Sequence, residues 1–332
     1  MLAYILRRFL YMIIILLMVS VVAFIIIQLP PGDYLTTYIQ DLERMGLRIT
    51  EDEIDRLETY YGLNQPLFAQ YFKWAWNMLR GDFGRSFEWN EPVARLLRSR
   101  IPLTVTMSIL TLLFVYSVAV PIGIYSATHQ YSIGDHTFTL AGFVGLATPN
   151  FLLALVLMFL FYKYFGVSAG GLFSNAYQMA PWSIGRVFDM LKHLVIPVVV
   201  IGTAGTAGLI RVMRACLLDE IQKQYVVTAR SKGISERALL FKYPVRVAFN
   251  PIMSTIGWTL PAIVSGETIT SIVVGLPTTG PLLFRALLTQ DMFLAGSTVM
   301  VLSFLTVIGT LVSDLLLVWV DPRIRYEKKG AY

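Results

Sequence analysis

Charge is scarce in this sequence: Asp, Glu, Lys and Arg together make up 14% of 332 residues. A soluble chain carries about 25% charged residues, because its surface faces water. With 56% hydrophobic residues and a mean hydropathy of +0.63, much of the outer surface must face an apolar solvent instead. Cysteine is nearly absent; Cys216 is alone, which excludes a disulfide within the chain. The three histidines, His129, His136 and His193, stand apart, so no metal site is expected. No Gly-x-x-x-x-Gly-Lys-Ser/Thr phosphate loop occurs, nor Gly-x-Ser-x-Gly, nor His-Glu-x-x-His. No catalytic residue is therefore expected, and any energy input must come from another polypeptide.

Long apolar runs are what the sequence has in abundance. A bilayer core takes about 20 mostly apolar residues as helix. The first such run, Phe9 to Leu29, follows Arg7 and Arg8 and stops at Pro30-Pro31-Gly32-Asp33. It is longer than the apolar part of a signal peptide, about 7–15 residues, and no small-residue cleavage site follows, so it reads as an uncleaved span. Five more runs follow at about Val105–Thr128, Phe138–Phe165, Leu194–Cys216, Asn250–Leu276 and Phe293–Val320. Several hold breakers, among them Pro121, Pro149, Pro197, Pro261 and Gly309, which spanning helices tolerate where neighbours or a cavity satisfy the freed backbone. The expected fold is an all-α polytopic membrane protein with six transmembrane helices.

Basic residues orient the spans. Arg211 to Arg246 holds eight Lys and Arg against three acids, and the tail adds Arg323, Arg325, Lys328 and Lys329. With six spans these regions and Arg7-Arg8 share one side, the cytoplasmic one, so both termini are expected there. The net charge of +6 is thereby assigned to cytoplasmic loops and not to nucleic-acid binding. The expected organisation is a tail and first span over 1–30, an external segment over 31–100, a transmembrane core over 101–320 with a cytoplasmic loop over 217–246, and a cytoplasmic tail over 321–332. In the external segment, Thr50 and Glu53 form a capping-box signature, and Ile54, Leu57 and Tyr61 recur at helical spacing. Tyr71-Phe72-Lys73-Trp74-Ala75-Trp76 suits a helix at the membrane interface. A small packed subdomain and a partner-docking surface both fit this segment.

The basic loop contains Tyr225-Val-Val-Thr-Ala-Arg-Ser-Lys-Gly233, with good helix formers around Ala229 and Gly233 placed for a tight reversal. A short helix there has no soluble core of its own chain to bury against, so a partner is expected to cover it. A basic loop resting on anionic lipid is the other reading.

Tyr225-x-x-Thr228-Ala229-Arg230-x-Lys232-Gly233 resembles the cytoplasmic loop of oligopeptide, dipeptide and nickel ATP-binding-cassette importer permeases, with Val227 and Thr228 where the general importer loop has Glu and Ala. The resemblance runs along nearly the whole chain. It takes in Pro31-Gly32-Asp33, Tyr61-Gly62-Leu63-Asn64-Gln65-Pro66, Leu79-Arg80-Gly81-Asp82-Phe83-Gly84-Arg85-Ser86, Arg100-Ile101-Pro102-Leu103-Thr104, His193-Leu194-x-x-Pro197, Arg246-x-x-x-Asn250-Pro251 and Asp314…Asp321-Pro322-Arg323. One stretch departs from it: Gly266 and Pro277 keep the family spacing, but Ser271 stands at the usual Glu position and Thr278 replaces Gly. Glu267 lies one helical turn before Ser271.

The resemblance implies a type I importer permease in a bacterial plasma membrane. It implies a paralogous second permease, two ATP-binding-cassette ATPases holding ATP and Mg, an extracytoplasmic substrate-binding protein and surrounding lipid as partners. No cofactor is expected in this chain. Tyr225, Thr228, Ala229, Arg230, Lys232 and Gly233 are then the ATPase-coupling residues. Glu267 and Ser271 are candidates for a pathway or interhelical role, since a carboxylate at bilayer depth costs about 2.5–3.5 kcal/mol and seeks a cavity or partner. Asp314 is read as structural. Peptides are the expected cargo, with oligosaccharides or opines as the alternative. An ion-coupled secondary transporter, the rival of another class, calls for a relay of intramembrane ionisable groups, of which only Glu267 and Asp314 stand out.

Overall fold

The computed structural model describes residues 2–28, 50, 56, 59, 65–166 and 170–320. The capping box at Thr50 and Glu53, the Pro31 and Tyr61 motifs and the basic tail therefore lie wholly or partly outside the described residues. Those residues are helical and carry no strand, only an isolated antiparallel bridge between Arg85 and Pro92. In chain order the helices are α1 (Leu2–Gln28), α2 (Leu67–Leu79), α3 (Val93–Thr128), α4 (Ile133–Ala147), α5 (Asn150–Phe165), α6 (Ile184–Ile221), α7 (Gln224–Ser231), α8 (Glu236–Lys242), α9 (Pro244–Val274), α10 (Thr279–Leu288) and α11 (Met292–Val320).

Five helical segments are long and apolar enough to cross a bilayer: α1, α3, α6, the stretch ending in α9, and α11. The expected third span is not one rod. It is α4 and α5, which together pass the same test but meet at a bend of 108°. Pro149 explains the break. It forces Thr148 into an extended conformation (φ −84°, ψ 122°), ends α4, and sets α5 off in a new direction from Asn150. The second span also begins earlier than hydropathy indicates, because α3 runs unbroken from Val93 through the expected boundary at residue 100.

The chain forms two compact units. The first takes residues 1–104 and 278–307. In it Ser20 Oγ and Tyr71 Oη lie 2.9 Å apart between α1 and α2, and Phe24 stacks edge-on against Tyr71. A second cluster buries Val93, Leu97, Leu282, Ala286 and Leu294, joining the start of α3 to α10 and the start of α11.

The second unit takes residues 105–277 and 308–332. Its centre is α6, which buries fourteen residues and packs against α9, α4 and α5. Close approach is built in: a Cβ on Gly123 of α3 would lie 2.6 Å from Met213 Cβ of α6. Tyr116 of α3 reaches α9, with its hydroxyl 2.5 Å from Thr255 Oγ1 and donating to Ile252 O at 3.2 Å. Pro251 and Pro261 sit inside α9 and each remove one rung of its hydrogen-bond ladder.

Candidate functional site

α7 and α8 form a helical hairpin inserted between the two longest helices of the second unit. Two residues separate it from the end of α6 and one from the start of α9. Gly233 makes the reversal with φ +76°, a backbone conformation that costs a residue with a Cβ about 1–2 kcal/mol. Its own N–H donates to Arg230 O at 3.0 Å. Across the turn, Arg230 Nε donates to Glu236 Oε1 at 2.6 Å and Nη2 to Oε2 at 3.1 Å, a two-pronged ion pair. That pair holds the Glu236 carboxyl below its ordinary range and raises the Arg230 guanidinium. At the other end Tyr225 Oη donates to Glu220 Oε2 at 2.5 Å, tying α7 back to α6. Burial and the acceptor carboxylate push the Tyr225 phenol well above its usual value.

The hairpin has an interior. Val226, Ala229 and Leu239 are buried against one another, with Ile234 and Tyr243 packed around them. This corrects the expectation that the loop cannot bury itself within its own chain. Ala229 faces inward, and its small side chain lets α7 approach α8. The outward surface consists of Tyr225, Val227, Thr228, Arg230, Ser231, Lys232 and Gly233, all exposed. Nothing lies within 4 Å of where a Gly233 Cβ would be.

A separate polar feature lies toward the far end of α9. Glu267, Thr270 and Ser271 are all fully buried, as is Val274 almost completely. Glu267 and Ser271, four residues apart, share a helix face as the spacing indicates. The Thr270 and Ser271 hydroxyls lack hydrogen-bond partners among the described residues. From Pro244 to Glu267 is about 35 Å of helix at 1.5 Å per residue, so one rod joins the hairpin to the buried acid. Asp314 is partly buried in α11. His193, the other titratable group that drew notice, sits with Nδ1 2.8 Å from Asp189 O, a backbone contact inside α6.

The first unit is organised by a residue that sequence reasoning missed. Asp291 is fully buried, and its Oδ2 accepts from Ser86 Oγ at 2.5 Å, Phe87 N at 2.8 Å and Glu88 N at 3.3 Å. Its Oδ1 accepts from Leu294 N at 3.1 Å, capping α11. Beside it Arg285 Nε donates to Glu88 Oε1 at 2.5 Å, and Thr289 Oγ1 to Glu88 Oε2 at 3.1 Å. Phe293 lies so close to Gly84, at φ +76°, that a Cβ there would meet its ring at 2.9 Å.

The family described as "Binding-protein-dependent transport system inner membrane component" matches residues 119–326, and the corresponding N-terminal family matches residues 1–108. The chain belongs to this family. Among its relatives, the oligopeptide transport system permease protein AppB of Bacillus subtilis is 33% identical over 98% of this chain and 99% of its own length. A putative peptide permease protein of Brucella ovis is 31% identical over the same shares. A probable peptide ABC transporter permease protein of Sinorhizobium fredii is 30% identical over 97% of this chain and 99% of its own.

Membership of the binding-protein-dependent permeases fits the all-α spanning architecture and favours the importer reading over an ion-coupled carrier. It also gives the Leu79–Ser86 motif of these permeases a physical meaning in this chain. Gly81 (φ +80°) and Gly84 supply left-handed turns, Asp82 Oδ1 accepts from Gly84 N at 3.0 Å, and Ser86 delivers its hydroxyl to Asp291. The motif is a clasp on the start of α11.

Proposed function

We propose that the chain is one permease subunit of an ATP-driven importer for peptides, forming half of the translocation pathway in a bacterial plasma membrane. The peptide class is supported by the names its relatives carry. In this reading both termini and the α7–α8 hairpin are cytoplasmic, and the region between the first two spans faces outward to meet a substrate-binding protein. A paralogous permease supplies the other half of the pathway, and two ATP-binding-cassette ATPases hold ATP and Mg.

The observation that carries the proposal is the hairpin: a self-packed, outwardly exposed unit fused to both members of a packed helix pair. A body that holds its shape and grips two spans at once transmits displacement. Nucleotide binding closes the ATPase pair, the hairpin follows, and α6 and α9 tilt between two arrangements. The shift is as large as the nucleotide's differential affinity for the two states. Tyr225, Thr228, Arg230 and Lys232 form the gripped face, Gly233 keeps the turn narrow, and Ala229 keeps the two helices together. Glu267 and Ser271 line or brace the pathway end of α9, and Asp314 serves the helix packing.

The test uses the assembled complex in proteoliposomes. Thr228→Glu changes an exposed position without backbone strain, and Gly233→Glu adds bulk at the turn. Both should abolish most substrate uptake while the complex still assembles and hydrolyses ATP, and a crosslinker at residue 228 should capture an ATPase subunit. Normal, coupled uptake in both variants would overturn the proposal, as would crosslinks reaching lipid alone or labelling of residue 228 from outside the cell.

A further inference from the structure

The second unit holds a basic crevice that the hairpin and the α9 stripe do not use. It lies between α4 and α6, has a volume of about 30 Å³, and is walled by Phe138, Gly142, Phe143, Ile210, Arg211 and Arg214. Helix contact shapes it: a Cβ on Gly142 would touch Ala207 Cβ at 3.4 Å, and one on Gly145 would collide with the Thr203 side chain. Phe143 is thereby held beside α6, and the Arg211 guanidinium carbon stands 5.6 Å from its ring centroid.

The two arginines are not equivalent. Arg214 Nη2 donates to Asp135 Oδ2 at 3.1 Å, and Asp135, buried in the first turn of α4, also accepts from Tyr131 N at 3.1 Å. That cation is neutralised inside the protein. Arg211, one turn away on α6, is exposed, and its Nε makes only a long contact of 3.4 Å to Ala207 O. Among the described residues no carboxylate lies within ion-pair distance of it, so the crevice keeps one net positive charge.

The surroundings of that charge are apolar. On α4 the side chains of Leu140, Phe143 and Val144 are 65%, 51% and 59% exposed, an apolar surface on a span-forming helix. Arg211 is about 15 Å of helix from the polar end of α6, and one turn deeper than the Asp135 pair beside the α3–α4 turn. A cation at that level, flanked by lipid-facing aromatics, finds its counter-charge in phosphate headgroups.

We propose that Arg211, exposed at the mouth of this crevice, binds the phosphate of an anionic phospholipid whose headgroup rests on the crevice rim. The phosphate pairs with Arg211, the outer edge of Arg214 adds a second donor, and an acyl chain runs down the Leu140–Val144 face. The single uncompensated charge selects a lipid with net negative charge over a zwitterionic one. The inference rests on the chain spanning a bilayer and is independent of the coupling role of the hairpin.

The test is native mass spectrometry of the intact complex titrated with phosphatidylglycerol or phosphatidylcholine. Wild type should retain phosphatidylglycerol in preference, and Arg211→Gln should weaken that binding about fivefold while leaving phosphatidylcholine unchanged. Arg211→Lys should restore part of it, which a purely structural defect would not allow. Inorganic phosphate at millimolar concentration should not displace the lipid. Equal retention of both lipids by wild type and Arg211→Gln would overturn the site. So would displacement by inorganic phosphate, or photo-crosslinks from position 143 that reach a neighbouring subunit instead of lipid. Uptake assays on Arg211→Gln separate this result from failure of the importer reading, because a lipid preference survives even if the complex carries no peptide.

Discussion

Arg230 and Glu236 face each other across the Gly233 reversal, joined by two guanidinium-to-carboxylate bonds. Both side chains are about half or more exposed, so the pair contributes orientation more than stability. Its sign with pH follows from Glu236. The folded carboxyl titrates below its ordinary value of 4.5, so the contribution is complete above that pH and disappears as pH falls through the folded value. Spin labels at positions 231 and 238 should show one narrow distance at neutral pH and a broad distribution once acid protonates the Glu236 carboxyl. Glu236→Gln should show the broad distribution at every pH.

Gly233→Ala tests the turn alone, because its added Cβ meets open space. The expected cost is about 1–2 kcal/mol, paid locally by the hairpin. Limited trypsin treatment should cut faster after Arg230 and Lys232, with no change in the melting of the whole chain. Unchanged cleavage would mean the backbone at 233 is not held left-handed.

Leu239→Ala removes the largest member of the hairpin interior. Truncations of this kind cost about 2–5 kcal/mol, which exceeds what a nineteen-residue unit can lose and stay folded. Amide exchange over residues 224–242 should rise towards the unfolded rate, while α6 and α9 keep their protection. Ala229→Leu should do the same by overpacking, and Thr228→Glu should not.

Asp291→Asn keeps the size of the side chain but sets an amide against backbone N–H donors. The amide offers one acceptor oxygen where the carboxyl offers two, so a backbone donor is left unpaired in a buried site and the first unit should lose about 1–3 kcal/mol. Detergent-solubilised complex should melt at a lower temperature, and cleavage between residues 80 and 90 should appear. Ser86→Ala should be milder, since the two backbone donors to Oδ2 remain.

Glu267→Gln is nearly isosteric and replaces the carboxyl of a fully buried group with a neutral amide. Uptake in proteoliposomes should fall while assembly and ATP hydrolysis persist, if the group lines or braces the pathway. Equal transport by the variant would leave Glu267 as a packing residue.

Hydropathy made the spans legible, because an apolar solvent demands long apolar runs whatever the tertiary packing. It could not show the 108° break at Pro149, since proline is tolerated inside α6 at Pro197 and inside α9 at Pro251 and Pro261. Which proline interrupts a span depends on whether neighbours satisfy the freed backbone, and that is a property of packing. The tight reversal at Gly233 was legible from its place in the motif, but the inward turn of Ala229 was not, because its partner Leu239 lies beyond the reversal. Asp291 was invisible for a similar reason: Ser86, which gives it a role, is 205 residues away in the chain.

The hairpin's private interior divides its positions into two hereditary classes. Val226, Ala229 and Leu239 answer to one another, so a change in one is compensated within the same gene. On the coupling role proposed above, Thr228 and Lys232 answer instead to the subunit that presses on the hairpin, so their changes should be matched in a different gene. Exchanging only that outer pair between two transport systems should redirect which motor protein each permease accepts, without disturbing its own architecture.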